Sequence, residues 1–183
     1  MSRILIGGIG NVLFADDGIG PFVARTLDAR YRFPSDVEVA DLGTPGLDLI
    51  DYFEGRERIL LIDAVKSAEK PGSILLYHQA EIAQCCVGPR TGPHAPSLTE
   101  TLLTVEMLGL SPQELVLVGV VGQSYETDCD LTGAVREAVD DAIDAVLSEL
   151  DRWGVSYQAK PSGVEPGIWW TKPLGNFTAQ VVQ

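Results

Sequence analysis

The chain alternates two rhythms of apolar residues. Short continuous apolar runs, the mark of strands buried on both faces, occur at residues 3–9, in "VEVAD" (37–41), "RILLIDA" (58–64), "GSILLYH" (72–78) and "ELVLVGVVG" (114–122). Between them the spacing turns helical. Phe22, Val23, Leu27 and Tyr31 follow Pro21, a residue suited to a first helical turn. Leu47, Ile50 and Phe53 mark a second helix, and "SLTETLLTVEMLG" (97–109) a third, opened by Ser97 with Glu100 at capping-box spacing. A last helix over 131–152 repeats Val135, Val139, Ile143, Val146 and Leu150 on one face. Its other face carries Glu137, Asp140, Asp141, Asp144 and Glu149 and reads as solvated surface.

Alternating strands and helices predict a three-layer αβα domain, with a twisted, mostly parallel five-stranded sheet and helices on both faces. One connection departs from this rule. Strands three and four are joined by "VKSAEKP", too short for a parallel crossover. Strand four should therefore run antiparallel, at an edge. We place the domain at residues 1–156, with no internal repeat. Residues 157–183 lack periodicity, contain Trp169-Trp170 and read as an irregular extension, either packed on the domain or a partner, or free.

The 183 residues carry a formal net charge of −13, which repels the phosphates of nucleic acid and of anionic membranes. No apolar run approaches the ~18 residues of a membrane span. The first strand begins too early to leave room for a signal peptide. Cys85, Cys86 and Cys129 form neither an even disulfide framework nor a CxxC metal pattern. They read as incidental thiols in a reduced, cytoplasmic setting.

The chemistry concentrates in "ILIGGIGNVLFADDGIG" (4–20). A strand meeting a glycine-rich turn before a helix suggests a dinucleotide site, with Asp41 placed to hold a ribose. From Gly8, however, the G-x-G-x-x-G pattern holds at Gly10 and fails at Leu13. Asp16 and Asp17 also stand where a pyrophosphate would sit, and charges ~4 Å apart repel by roughly 4 kcal/mol at an effective dielectric near 20.

In open α/β sheets the working crevice lies beyond the carboxyl ends of the strands. Asp16 and Asp17 follow strand one, Asp41 closes strand two and Asp63 closes strand three. Acids converging there without a basic partner should attract a cation. An antiparallel strand four carries His78 to the opposite end. His94 follows a connection of about fifteen residues, which reaches up to roughly 50 Å when extended and can return to the crevice. Two carboxylates and an imidazole make an open three-ligand site for a divalent metal acting as Lewis acid or polarising a water. On spacing alone each residue has a plainer role: Asp16 as a cap, Asp63 as a strand-end turn former, His94 as a loop residue.

"ILIGGIGNVLFADDGIGPFVA", "VADLGTPGLDLIDYFEGRERILLIDAVKS" with "PGSILLY", and "GPHAPSLTETLLTVEMLG" resemble, in order and spacing, the [NiFe]-hydrogenase maturation proteases. The resemblance covers roughly residues 3–152. It implies an endopeptidase that trims the C-terminal extension from a nickel-loaded hydrogenase large subunit. The metal-contacting trio it implies is Asp17, Asp63 and His94, with Asp17 or Asp63 as general base or a metal-polarised water as nucleophile. The implied metal is nickel supplied by the substrate, although other divalent ions can enter such a site. The family's substrate-tail loop matches Asp41, Leu42, Gly43 and Thr44 and runs on to Gly46, with Leu42 at a position commonly glycine. Two rival functions stand beside this one: a non-catalytic nickel-checkpoint chaperone of the large subunit, and a nucleotide-binding domain.

Overall fold

A computed structural model of the chain describes residues 3–79, 81–82, 98–161 and 166–171. Five strands build the main sheet: β1 (Ile4–Ile9), β3 (Val37–Gly43), β4 (Arg58–Val65), β5 (Ile74–His78) and β6 (Glu114–Val121), in the order β3-β1-β4-β6-β5. Pairing is parallel throughout except at β5, an edge strand antiparallel to β6. The short 66–73 connection forces this direction. His78 pairs with Val116 near the start of β6, so it lies at the end of the sheet away from the strand carboxyl ends.

Strand alternation sorts the core into two layers. Ile4, Ile6, Leu60, Ile62, Val116 and Val118 face helix α1 (Ile19–Arg30) and helix α5 (Val139–Arg152). Leu5, Ile59, Leu61, Leu115 and Leu117 face α2 (Leu49–Phe53) and α3 (Leu98–Met107). Each such side chain fully removed from water contributes about 1.5–3 kcal/mol. No helix among the described residues is long and apolar enough to cross a membrane.

Several elements depart from the pattern-based expectation. Strand β3 continues to Gly43, because Leu42 buries its side chain over Gly7. The expected 131–152 helix is two pieces, α4 (Gly133–Glu137) and α5, broken at Ala138 with φ −80° and ψ −4°. Its apolar stripe is buried as expected, but Glu149 leaves the solvated face. It is buried and accepts a 2.8 Å hydrogen bond from Arg152 Nε. Ser97 lies outside the described residues, and α3 begins at Leu98.

Tyr31 does not end α1. It opens a two-residue strand, β2 (Tyr31–Arg32), antiparallel to β7 (Gln158–Ala159). The rings of Tyr31, Phe33 and Tyr157 cluster there, Tyr31 and Tyr157 edge-to-face with centroids 5.7 Å apart. Further on, Ile168 and Trp170 are buried while Trp169 stays 62% exposed.

At its first turn α1 approaches the sheet backbone to backbone. A Cβ on Gly20 would lie 2.1 Å from the Ile9 carbonyl oxygen and 2.4 Å from that of Ile62. No rotamer change relieves such a clash. Gly20→Ala should therefore cost about 3 kcal/mol or more, read by urea denaturation. Unchanged stability would show that α1 does not need this approach.

Candidate active site

The strand order places a topological switch between β1 and β4. From β1 the chain crosses to β3 on one side, then returns over β1 to β4 on the other. Helix connections diverge there and leave a crevice at the strand carboxyl ends. Asp16 and Asp17 leave β1 on one lip. Asp63 stands on the other, one residue past Ile62, where the β1–β4 pairing ends.

The 10–18 loop is held by its own turns and by contacts to residues 123–132. Gly10 turns with φ +139°, a conformation open to glycine. Asn11 accepts hydrogen bonds from the Leu13 N–H through Oδ1 and from the Phe14 N–H through its carbonyl, at 3.0 and 3.1 Å. Ala15 sits at φ +46°, which is strained for a residue with a Cβ. It is held there by donating its N–H to the Asp128 carbonyl at 2.8 Å. A 3-10 turn, Ala15–Gly18, then leads into α1.

This turn sends two adjacent acids to different work. Asp16 is fully buried and saturated. Its Oδ2 accepts from the N–H groups of Gln123 and Ser124 at 2.8 and 3.0 Å and from Thr132 Oγ1 at 2.9 Å. Its Oδ1 accepts from the Thr132 N–H at 2.7 Å. Thr132 is the residue that begins α4, so Asp16 ties the β1 loop to the loop after β6. It belongs to the scaffold and is not a free ligand.

Asp17 is the acid with spare capacity. It is 5% exposed, and among the described residues its carboxylate accepts one hydrogen bond, a 2.9 Å contact from the Asn11 N–H to Oδ2. That amide, which a phosphate would need, is already given to a carboxylate. Burial pushes the Asp17 carboxyl above its usual range, against the downward pull of the Asn11 amide. Asp63 goes further. Burial first, and the neighbouring Asp17 charge second, hold its carboxyl well above the ordinary value, partly offset by the Ala64 N–H at 2.8 Å. Among the described residues no cation acts on either acid.

Tyr125 completes the rim and was not anticipated. Its hydroxyl donates to the Val65 carbonyl at 3.3 Å. Burial, then the charges of Asp17, Asp63 and Asp16, push its pKa up to about 12, so it stays a neutral donor. Lys66 lies over the Tyr125 ring at 5.4 Å. The available signal was an aromatic in "GQSYETD" just past a strand carboxyl end.

The remaining expected residues divide. His94, Cys85 and Cys86 lie outside the described residues, and Cys129 is a free thiol. Among the described residues no three His, Cys, Asp or Glu side chains gather closely enough to hold a metal ion. Asp41 shares strand parity with Val39 and faces α1, opposite to the face of Leu61 and Val65 that Asp63 shares. It is not an unpaired acid: Arg25 Nε donates to its Oδ2 at 2.9 Å. Gly43 and Gly46 turn with φ +57° and +55°, Thr44 between them is exposed, and the Gly46 carbonyl accepts a long 3.5 Å contact from Thr101 Oγ1.

The two lips should respond to substitution in opposite ways. Asp16→Ala removes the shared acceptor of three part-buried N–H groups and the Thr132 hydroxyl and should cost about 3 kcal/mol. Asp63→Asn removes a carboxyl that folding makes harder to ionise. The parent loses stability as pH rises from the ordinary carboxylate range through the raised Asp63 value, whereas the amide variant does not. With chelator present, Asp63→Asn should match the parent near pH ~4 and melt higher near pH ~7.5. A melting temperature below the parent's at neutral pH would contradict this.

The chain matches the family model described as hydrogenase maturation protease over residues 21–149. It is 32% identical over 154 residues to the hydrogenase 2 maturation protease of Escherichia coli K12, covering 84% of this chain and 93% of that protein. It is 33% identical to the hydrogenase expression/formation protein HupD of Bradyrhizobium diazoefficiens, covering 85% and 81%. Among solved structures, the hydrogenase maturating endopeptidase HybD from E. coli superposes with a TM-score of 0.80 at 30% identity, covering 88% of this chain and 99% of that one. The [NiFe] hydrogenase maturation protease HybD from Thermococcus kodakarensis gives 0.62 at 25% identity, covering 80% and 98%. With its fold, its crevice and these matches in agreement, the chain belongs to the hydrogenase maturation protease family and is an endopeptidase.

Proposed function

We propose that this endopeptidase removes the C-terminal extension of a [NiFe]-hydrogenase large-subunit precursor that already holds its nickel, and that it meets that nickel with Asp17, Asp63 and His94. The observation that carries this reading is the desolvated Asp17–Asp63 pair, two carboxylates of which one raises the other and on which no cation acts among the described residues. Such a pair is poorly satisfied alone and gains most from a divalent ion brought in from outside. The names of the E. coli and Bradyrhizobium relatives support a hydrogenase as the substrate's source. The free thiol of Cys129 fits a reduced cytoplasmic setting.

Nickel carried by the precursor supplies positive charge beside the scissile peptide and places that peptide in the crevice. Asp17 has one oxygen fixed by Asn11, and its other oxygen, which has no partner among the described residues, is placed to take a proton from the attacking water. The water oxygen adds to the peptide carbonyl carbon, the C–N bond breaks, and the leaving amine takes up a proton. Asp63, whose carboxyl is the harder of the two to ionise, is suited to give its own proton to that amine, and Asp17 then passes the proton taken from water to Asp63. The neutral Tyr125 hydroxyl stands on the same rim as a donor.

The test is cleavage of precursor made with and without nickel, followed by mass spectrometry of the large subunit. Nickel-free precursor, with chelator present, should persist uncut in excess enzyme, and nickel reconstitution should restore the cut. Asp17→Asn and Asp63→Asn should each lower cleavage by at least about a hundredfold, with His78→Ala as the unaffected control. Equal cleavage of nickel-free precursor would overturn the nickel requirement.

A further inference from the structure

The stretch 166–171 rests on the active-site scaffold. The Arg25 guanidinium lies 5.6 Å from the centre of the Trp170 ring, and its Nη1 donates to the Gly167 carbonyl at 3.4 Å. Nε of the same group donates to Asp41 at 2.9 Å. Exposed ion pairs of this kind contribute little. A buried tryptophan laid against one side of the guanidinium covers part of the pair, which stays half-buried, and adds a cation–π contact.

From Asp41 the contacts continue without a gap. Its second oxygen accepts the Gly43 N–H at 3.1 Å, which fixes the left-handed turn at Gly43. The Gly43 carbonyl accepts the Gly10 N–H at 2.8 Å. Gly10 lies so close to the Asp17 backbone that a Cβ there would be 1.8 Å from the Asp17 carbonyl oxygen. Its neighbour Asn11 gives the amide that holds the Asp17 carboxylate at 2.9 Å. Four hydrogen bonds and one close backbone approach therefore join Arg25 to the reacting acid.

We propose that Arg25 and Trp170 are positioning residues for the endopeptidase. They clamp Asp41 and, through the Gly43–Gly10–Asn11 turn, hold Asp17 at the lip of the crevice. Neither touches the reacting atoms. The stretch 166–171 thereby takes a part in the reaction, and Asp41 a task distinct from contact with substrate. An anchor for the chain end alone would have no effect at Gly43, whereas a positioning clamp must act there.

The experiment uses the full chain and two readouts. Amide hydrogen exchange at Gly10, Asn11 and Gly43, resolved by NMR, reports the turn whether or not a substrate is cut. Steady-state cleavage of the nickel-loaded precursor reports kcat and KM. Trp170→Ala and Arg25→Ala should speed exchange at these amides and lower kcat about fivefold, the scale of one such contact, with little change in KM. Trp170→Phe, which keeps a ring over the guanidinium, should restore both. Unchanged exchange at Gly43 and Gly10 would overturn the proposal. So would faster exchange without slower cleavage, or faster exchange throughout the sheet. If the parent chain itself leaves the precursor uncut, the substrate assignment fails, and the exchange readout still decides the clamp.

Discussion

The crevice depends on one buried carboxylate that takes no part in the chemistry. Asp16 accepts four hydrogen bonds from residues more than a hundred positions away and fastens the β1 loop to the start of α4. The strain at Ala15 persists because this staple, together with the amide contacts to Asp128 and Ser124, over-determines the turn. With the turn fixed, Asp17 cannot swing out to water. Its desolvation follows from the satisfaction of its neighbour.

That arrangement turns a folding liability into a reactive site. A charged group taken from water without a partner shifts toward its neutral form, and two such groups side by side shift further. Asp17 and Asp63 are kept in this condition by backbone contacts: Gly20 against Ile9 and Ile62, and Gly10 against Asp17. Close approaches between main chains leave little room for relaxation, so the protein cannot relieve the repulsion by moving the acids apart. The stability given up at the site is recovered in the two apolar layers that enclose the sheet.

The amino-acid sequence made the sheet legible because each strand is a short apolar run with a clear end. The antiparallel edge followed from chain length alone, since seven residues cannot make a crossover. Asp17 and Asp63 were legible for the same reason: a strand end fixes where its next residues stand. Roles set by distant partners were not. Nothing local separates Asp16 from Asp17, and the partners that tell them apart lie in residues 123–132. Asp41 looked like a third free acid because Arg25, on a different element, neutralises it. Tyr125 carries no local pattern that marks it as a site residue, and the β2–β7 pair is too short to carry a periodicity.

The union of β2 with β7 also bears on the order in which the protein is made. A ribosome releases residues 31–32 long before 158–159, and the contacts between Arg25 and Trp170 come later still. Domains begin to fold from the end that emerges first, so the parallel strands can assemble while this stretch is still in the exit tunnel. The nascent chain would then hold a formed sheet with Arg25 still uncovered, and the aromatic cluster around Tyr157 would close after release. Synthesis itself sets a sequence in which the fold comes first and its final trim second.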